Sequence, residues 1–194
     1  MENSKMKINV GCGWECREGW LNVDNTSKPQ AANYPIIKMD ATIAWPYNDE
    51  TFDYVLSEHM IEHIPEEKGL FMLTEALRTL KLNGAIRITC PDRTFAENLP
   101  GKDTHPFVQA YARKIFQREP KIGDAAIISK RTLHEQGHLW VPTPEQLISQ
   151  LIKAGFSNVK QVQYGKSEHK EFDGIELDDG VRNWESVCVE GIKL

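Results

Sequence analysis

Lys7-Ile8-Asn9-Val10-Gly11-Cys12-Gly13 is the stretch on which the fold turns. Its first four residues alternate like a short strand. The strand then runs into two glycines, where a backbone can turn sharply and let a ligand come close. Outward from it, Trp20 to Asp24 and Ile36-Ile37-Lys38-Met39, closed by Asp40, read as two more short strands. Phe52 to Ser57 is almost continuously apolar, which suits a strand buried on both faces. A helix is expected from Pro65, with Glu66 and Glu67 at its positive end and a stripe of Leu70, Leu73, Leu77 and Leu80. Asn83-Gly84 is read as its stop, and Ala85 to Cys90 as a fifth strand.

Four prolines, Pro91, Pro100, Pro106 and Pro120, break up residues 91–140, where one helix over Phe107 to Arg118 is expected. Thr143-Pro144-Glu145-Gln146 has the signature of a capping box, and Gly155 ends the helix that it starts. Val159 to Tyr164 and Ser186 to Glu190 alternate like strands, with no clear helix between them. Strands and helices so interleaved predict an α/β chain. Its sheet is mostly parallel with an antiparallel last strand, and helices lie on both faces. Residues 1–194 are read as one domain with a variable, substrate-side insertion at about 91–140.

Composition narrows the function. The chain has 194 residues, 40% of them hydrophobic, enough for one core. Its formal net charge of −5, with both signs mixed, disfavours bulk binding to nucleic acid. No stretch approaches the roughly 20 apolar residues of a bilayer span, and Met1-Glu2-Asn3-Ser4-Lys5 lacks the apolar core of a signal peptide. Cys12, Cys16, Cys90 and Cys188 show no paired CxxC spacing and read as free thiols in a reducing cytoplasm.

In open α/β sheets, ligands sit outside the carboxyl ends of the strands. Here those ends carry Gly11-Cys12-Gly13, Asp24-Asn25, Asp40-Ala41, Ser57-Glu58-His59 and Pro91-Asp92. A carboxylate after a strand can accept hydrogen bonds from ribose hydroxyls, or from an exocyclic amine. With Leu80-Lys81-Leu82-Asn83-Gly84-Ala85 following, this ordered set resembles the class I S-adenosylmethionine-dependent methyltransferase family over about residues 7–92, with weaker similarity from Trp140 to Phe156.

The resemblance implies a Rossmann-like sandwich, with S-adenosylmethionine as methyl donor and S-adenosylhomocysteine as product. It implies that Gly11, Cys12 and Gly13 line the methionine part of the cofactor and that Asp24, beside Asn25, takes the ribose. Asp40 and Ala41 would face the adenine, and Ser57, Glu58 and His59 would pass beside the sulfonium. Three positions depart from the pattern. Asn9 replaces an acidic residue, Glu15 replaces a common third glycine, and only eleven positions separate Gly13 from Asp24, where about 20 is usual. The first helix is therefore expected to be cut to about a turn, as in a short-first-loop subgroup that the segment Glu18 to Asp24 resembles.

His59-Met60-Ile61-Glu62-His63 also fits HxxEH, which would make a metal-dependent hydrolase if it lay on one helix. It straddles a strand end and a helix start instead. His59, Glu62, His63 and His138 resemble the metal cluster of small-RNA 2′-O-methyltransferases, although a glutamate is usual where His59 stands. The simpler expectation is a hydrogen-bonded Glu62–His63 pair and no metal. His134 and His138 are expected on a surface loop, and Trp45 and Trp140 as site walls. His63 or His138 is the expected general base, since imidazole titrates near neutrality. The expected acceptor is an oxygen or nitrogen of a small molecule or sugar-linked metabolite. A binding module without catalysis is the remaining alternative.

Overall fold

Alternating or wholly apolar short segments bury best as neighbours in one sheet, and seven of them do so here. The computed structural model describes residues 5–26, 34–176 and 179–194; Met1 to Ser4, on which the reading of the start rests, lie outside them. The strands are β1 (Lys7–Val10), β2 (Leu21–Asp24), β3 (Ile36–Lys38), β4 (Phe52–Glu58), β5 (Leu80–Pro91), β6 (Ser157–Val162) and β7 (Ser186–Ile192). Their order in the sheet is β3-β2-β1-β4-β5-β7-β6. The first five run parallel, and β7 runs antiparallel to both β5 and β6.

The helices are α1 (Glu66–Thr79), α2 (Arg93–Glu97), α3 (Pro106–Lys114), α4 (Asp124–His134), α5 (Pro144–Ala154) and α6 (Arg182–Glu185). One face of the sheet presents Phe52, Val55, Ile86 and Ile88 to Met72, Leu73 and Ala76 of α1 and Leu147 and Leu151 of α5. The expected capping box forms: Thr143 Oγ1 accepts from Gln146 N at 3.3 Å, and Gln146 Oε1 from Thr143 N at 2.9 Å. Against the other face, which carries Tyr54, Leu56 and Ala85, pack Phe172, Trp20 and Ile175.

The elements differ from expectation most at two places, and a short helix, α6, also lies between β6 and β7. α1 ends at Thr79, because Leu80 turns extended and pairs with Phe52 as the first residue of β5. Leu80 continues the helical spacing, but it is buried from the sheet. Asn83 and Gly84 thus lie inside a strand, where Asn83 takes φ 63° and a Cβ on Gly84 would meet the Lys81 carbonyl at 2.8 Å. Residues 91–140 hold three helices rather than one. α4 was hidden because its buried face, Asp124, Ala125, Ile128, Ser129 and Thr132, is small or polar and leaves little apolar rhythm. His134 therefore ends a helix rather than sitting in a loop, and His138 follows it.

The connection from β1 to β2 has no helical turn at all among residues 11–20. A parallel crossover usually needs a dozen or more residues and a helix to satisfy its backbone. Two buried asparagines replace that helix. Asn9 and Asn22 are register partners on β1 and β2, and Asn9 Nδ2 donates to Asn22 Oδ1 at 3.1 Å. Asn9 also donates to the Glu15 carbonyl at 2.9 Å. Asn22 accepts from Arg17 N at 2.8 Å and donates to the carbonyls of Arg17 and Trp20 at 3.0 and 3.1 Å. Asn22→Ala strands those groups and is expected to lower unfolding free energy by about 2–3 kcal/mol, read from urea midpoints. A loss no larger than that of an exposed surface substitution would show that the amides are dispensable.

Candidate active site

The cavity at the carboxyl ends of β1 to β4 has a volume of about 400 Å³. Gly11, Gly13, Asp24, Asn25, Asp40, Ala41, His59 and His63 line it, so eight of the residues singled out in the sequence converge there. Gly11 is held at φ 68°, and its N–H, like that of Cys12, donates to the Val23 carbonyl. A Cβ at Gly11 would come within 2.1 Å of Met60 Cγ, so the loop packs there only because the side chain is missing. At Gly13 a Cβ would meet nothing within 4 Å, which leaves open space above the loop.

Both aspartates are fixed by the same local device. Asp24 Oδ1 accepts from Thr26 N and Oγ1, each at 2.8 Å, while its Oδ2 accepts from Gly13 N at 2.9 Å. Asp40 Oδ1 accepts from Thr42 N at 2.8 Å and Thr42 Oγ1 at 2.7 Å. Those bonds hold the Asp40 carboxyl below the usual carboxylate range. Its Oδ2 receives no donor from the described residues and is left for a ligand. Thr26 and Thr42 also line the cavity and were not singled out. The repeated Asp-x-Thr in Asp24-Asn25-Thr26 and Asp40-Ala41-Thr42 was the available signal.

Cys12, Ser57 and Glu58 do not line this cavity, contrary to expectation. Cys12 is buried with its Sγ 3.5 Å from Cys16 Sγ, and burial raises its thiol pKa. Ser57 is buried inside β4. Glu58 forms an ion pair with Arg17, and Arg182 lies 3.6 Å away. Arg17 also donates to the Ile175 carbonyl at 2.6 Å, which ties the short β1–β2 loop to the far end of the chain. Burial raises the Glu58 pKa against the pull of Arg17. Trp45 and Trp140 are core residues rather than walls; Trp45 Nε1 donates to the Ala41 carbonyl from behind.

A second cavity of about 330 Å³ adjoins the first and shares His59 and His63 with it. Glu62, Tyr111, His138, Arg182 and Glu185 line it too. His59 stands at φ 48° between them, its Nε2 3.0 Å from Ser186 Oγ and its Nδ1 3.4 Å from Glu62 Oε1. Burial opposes charging His59, yet the Glu62 carboxylate beside it raises its pKa above the ordinary value. Burial pushes Glu185 up to about 7. The expected Glu62–His63 hydrogen bond is not made. His63 Nε2 is 4.0 Å from Glu62 Oε1, and each imidazole is anchored elsewhere, His63 Nδ1 on the Gly137 carbonyl and His138 Nδ1 on that of Thr132. His59 and His63 share no helix face, because only a 3₁₀ turn, Ile61–His63, follows β4. That breaks the geometry HxxEH would need. Tyr111, Arg182 and Glu185 were missed because they are brought in from distant segments without a local motif.

A family model described as a methyltransferase domain matches residues 9–88. No curated protein matches the sequence. Among solved structures, an S-adenosylmethionine-dependent methyltransferase from Thermotoga maritima, described as a possible histamine N-methyltransferase, is 18% identical with a TM-score of 0.59. The match covers 98% of this chain and 83% of that one. One from Archaeoglobus fulgidus is 18% identical with a TM-score of 0.61, over 97% of this chain and 86% of its own. A phosphoethanolamine N-methyltransferase from Haemonchus contortus, solved with S-adenosylmethionine, is 15% identical with a TM-score of 0.57, over 100% of this chain and 49% of its own. The glycine turn, the two strand-end aspartates and the open space above Gly13 fit S-adenosylmethionine as cofactor. A methyltransferase-domain model thus matches most of β1 to β5, and the sheet order β3-β2-β1-β4-β5-β7-β6 gives the chain the Rossmann-like fold of class I S-adenosylmethionine-dependent methyltransferases.

Proposed function

We propose that the protein transfers a methyl group from S-adenosylmethionine to an oxygen or nitrogen of a small molecule held in the cavity beside the cofactor. The observation that carries this reading is the pair of adjoining cavities sharing His59 and His63. The second is of small-molecule size. The cofactor supplies the reactive methyl, and the chain supplies position. Gly11 and Gly13 hold the methionine end, Asp24 and Asn25 the ribose, and Asp40 and Ala41 the adenine. His63 and His138 stand where an acceptor's proton can be taken. Residues 91–140 act as the acceptor-side insertion, supported by the separate core that Leu99, Phe107, Val108, Tyr111, Ala125 and Ile128 build with Val181. Free thiols and the absence of any helix long and apolar enough to cross a membrane, among the described residues, are consistent with cytoplasmic work.

Calorimetry with S-adenosylhomocysteine tests the pocket. Asp40→Ala is expected to weaken binding about 10- to 100-fold, the worth of one charge-assisted hydrogen bond. Unchanged affinity in that variant would remove Asp40 from the site, and no heat with the parent protein would remove the cofactor reading. A labelled-methyl screen over small acceptors separates an enzyme from a binding module.

A further inference from the structure

Glu62 is wholly buried, and its carboxylate oxygens receive no well-aligned hydrogen bond from the described residues; the nearest imidazole, His59, stands with Nδ1 3.4 Å from Oε1. A buried carboxylate left without donors is costly, so such a site is built for an incoming cation or donor. It is fixed in place by its own backbone, whose carbonyl accepts from Leu139 N at 2.7 Å and Trp140 N at 3.1 Å. The same pairing brings His138 beside it. Glu62, His63 and His138 each offer one polar atom, and these atoms lie within 4.8 Å of one another.

The protonation pattern of the two imidazoles follows from their partners. A carbonyl only accepts, so the Nδ1 that faces Gly137 in His63 and Thr132 in His138 must carry the proton. A ring that carries that one proton keeps its lone pair on Nε2. The cluster thus offers two imidazole nitrogens and a two-oxygen carboxylate as acceptors, with His59 Nδ1, 3.4 Å from Glu62 Oε1, as the neighbouring group that can donate. A hydroxyl has one proton to give and would leave most of these acceptors unmet. A protonated primary amine brings three N–H groups and a positive charge opposite the carboxylate.

His63 Nε2 lies 4.0 Å from Glu62 Oε1, and the three atoms lie within 4.8 Å of one another, a spacing that accommodates an ammonium nitrogen as well as a metal ion.

We propose that Glu62, His63 and His138 form the binding site for the ammonium group of a primary-amine acceptor. This rests on the methyltransferase reading for its catalytic meaning, although amine binding stands apart from it. One N–H proton passes to Nε2 of His63 or His138, and the neutral amine then turns its lone pair toward the methyl. That pair forms the new N–CH₃ bond as the S–CH₃ bond breaks and its electrons stay on sulfur. The products are the secondary ammonium, which takes over the positive charge of the sulfonium, neutral S-adenosylhomocysteine, and an imidazolium that returns the first proton to solvent.

The test uses tag-free protein saturated with S-adenosylhomocysteine, with binding of phenylethylamine and of phenylethanol followed by saturation-transfer NMR. The amine is expected to bind and the alcohol not. Glu62→Gln, which keeps the shape, is expected to weaken the amine about 10- to 100-fold while leaving S-adenosylhomocysteine affinity unchanged. His138→Asn supplies a second variant outside the cofactor cavity, with the same expected direction. Equal binding of amine and alcohol, binding of neither, or amine binding untouched by both substitutions would overturn the proposal. So would one tightly held zinc or manganese ion per chain that is lost in Glu62→Gln. Failure of S-adenosylhomocysteine to bind would instead sink the cofactor reading, and amine binding would then be read on the protein alone.

Discussion

Gly11→Ala is expected to cost about 2–5 kcal/mol of stability and to abolish detectable S-adenosylhomocysteine binding. Two effects add. An alanine at φ 68° carries the left-handed penalty of about 1–2 kcal/mol. Its Cβ would also overlap Met60, whose Cγ and Cβ stand 2.1 and 2.6 Å from that point, and overpacking of this kind costs about 1–3 kcal/mol. Met60 is the residue between His59 and the 3₁₀ turn, so relief of the clash displaces the boundary between the two cavities. Gly13→Ala is the control. It sits at φ 49° with no neighbour within 4 Å, and should lose only the backbone penalty. Thermal melts and calorimetry on both variants check the pair, and Gly11→Ala behaving like Gly13→Ala would show that Met60 yields freely.

Arg87→Leu is expected to destabilise by about 3–5 kcal/mol. Arg87 is wholly buried in β5, bonded through Nε to Glu176 Oε1 at 2.5 Å, through Nη2 to Glu176 Oε2 at 2.9 Å and through Nη1 to Glu190 Oε1 at 2.6 Å. Burial opposes its charge, yet the two glutamates raise its pKa above the ordinary guanidinium value. Removing one partner leaves two buried carboxylates uncompensated, which is the expensive way to break such a network. Replacing Arg87, Glu176 and Glu190 together by apolar residues should recover part of the loss, since no unpaired charge then remains. Arg113→Ala, which breaks the exposed pair with Glu119, should stay within about 0.5 kcal/mol. Urea unfolding of the three variants orders them. Equal losses for Arg87→Leu and the triple variant would mean that packing, not charge, matters there.

The strands and the two aspartates were legible because their cues are local. β4 announces itself by an apolar run, and Asp24 and Asp40 follow strands directly. The capping box at Thr143 is likewise a four-residue pattern. α4 was illegible because its buried side, Ile128 apart, is alanine, serine, threonine and aspartate. The end of α1 was misread because Leu80 satisfies a helical spacing and a strand equally well. Glu58 was assigned to the cofactor by its place in a motif, but a strand-end side chain can face either side of the sheet. Its partner Arg17 decides which, and no nearby pattern names that partner. The acceptor-side residues Tyr111, Arg182 and Glu185 come together only through tertiary closure.

The asparagine-stapled loop between β1 and β2 has a consequence for how the chain can be made. With no helix there, part of the sheet face beside β4 and β5 gets its cover from Phe172, Ile175 and Glu176, near the end of the chain. Arg87 meets Glu176 across 89 residues, and Arg17 meets Ile175 across 158. A nascent chain emerging in order would hold that face, with its buried arginine, open to solvent until residues 172–176 have emerged. Such long-range closure is slow and exposes apolar surface meanwhile. Truncation a few residues before Glu176, which removes this cover together with β7, should behave as a folding defect rather than as the loss of a tail.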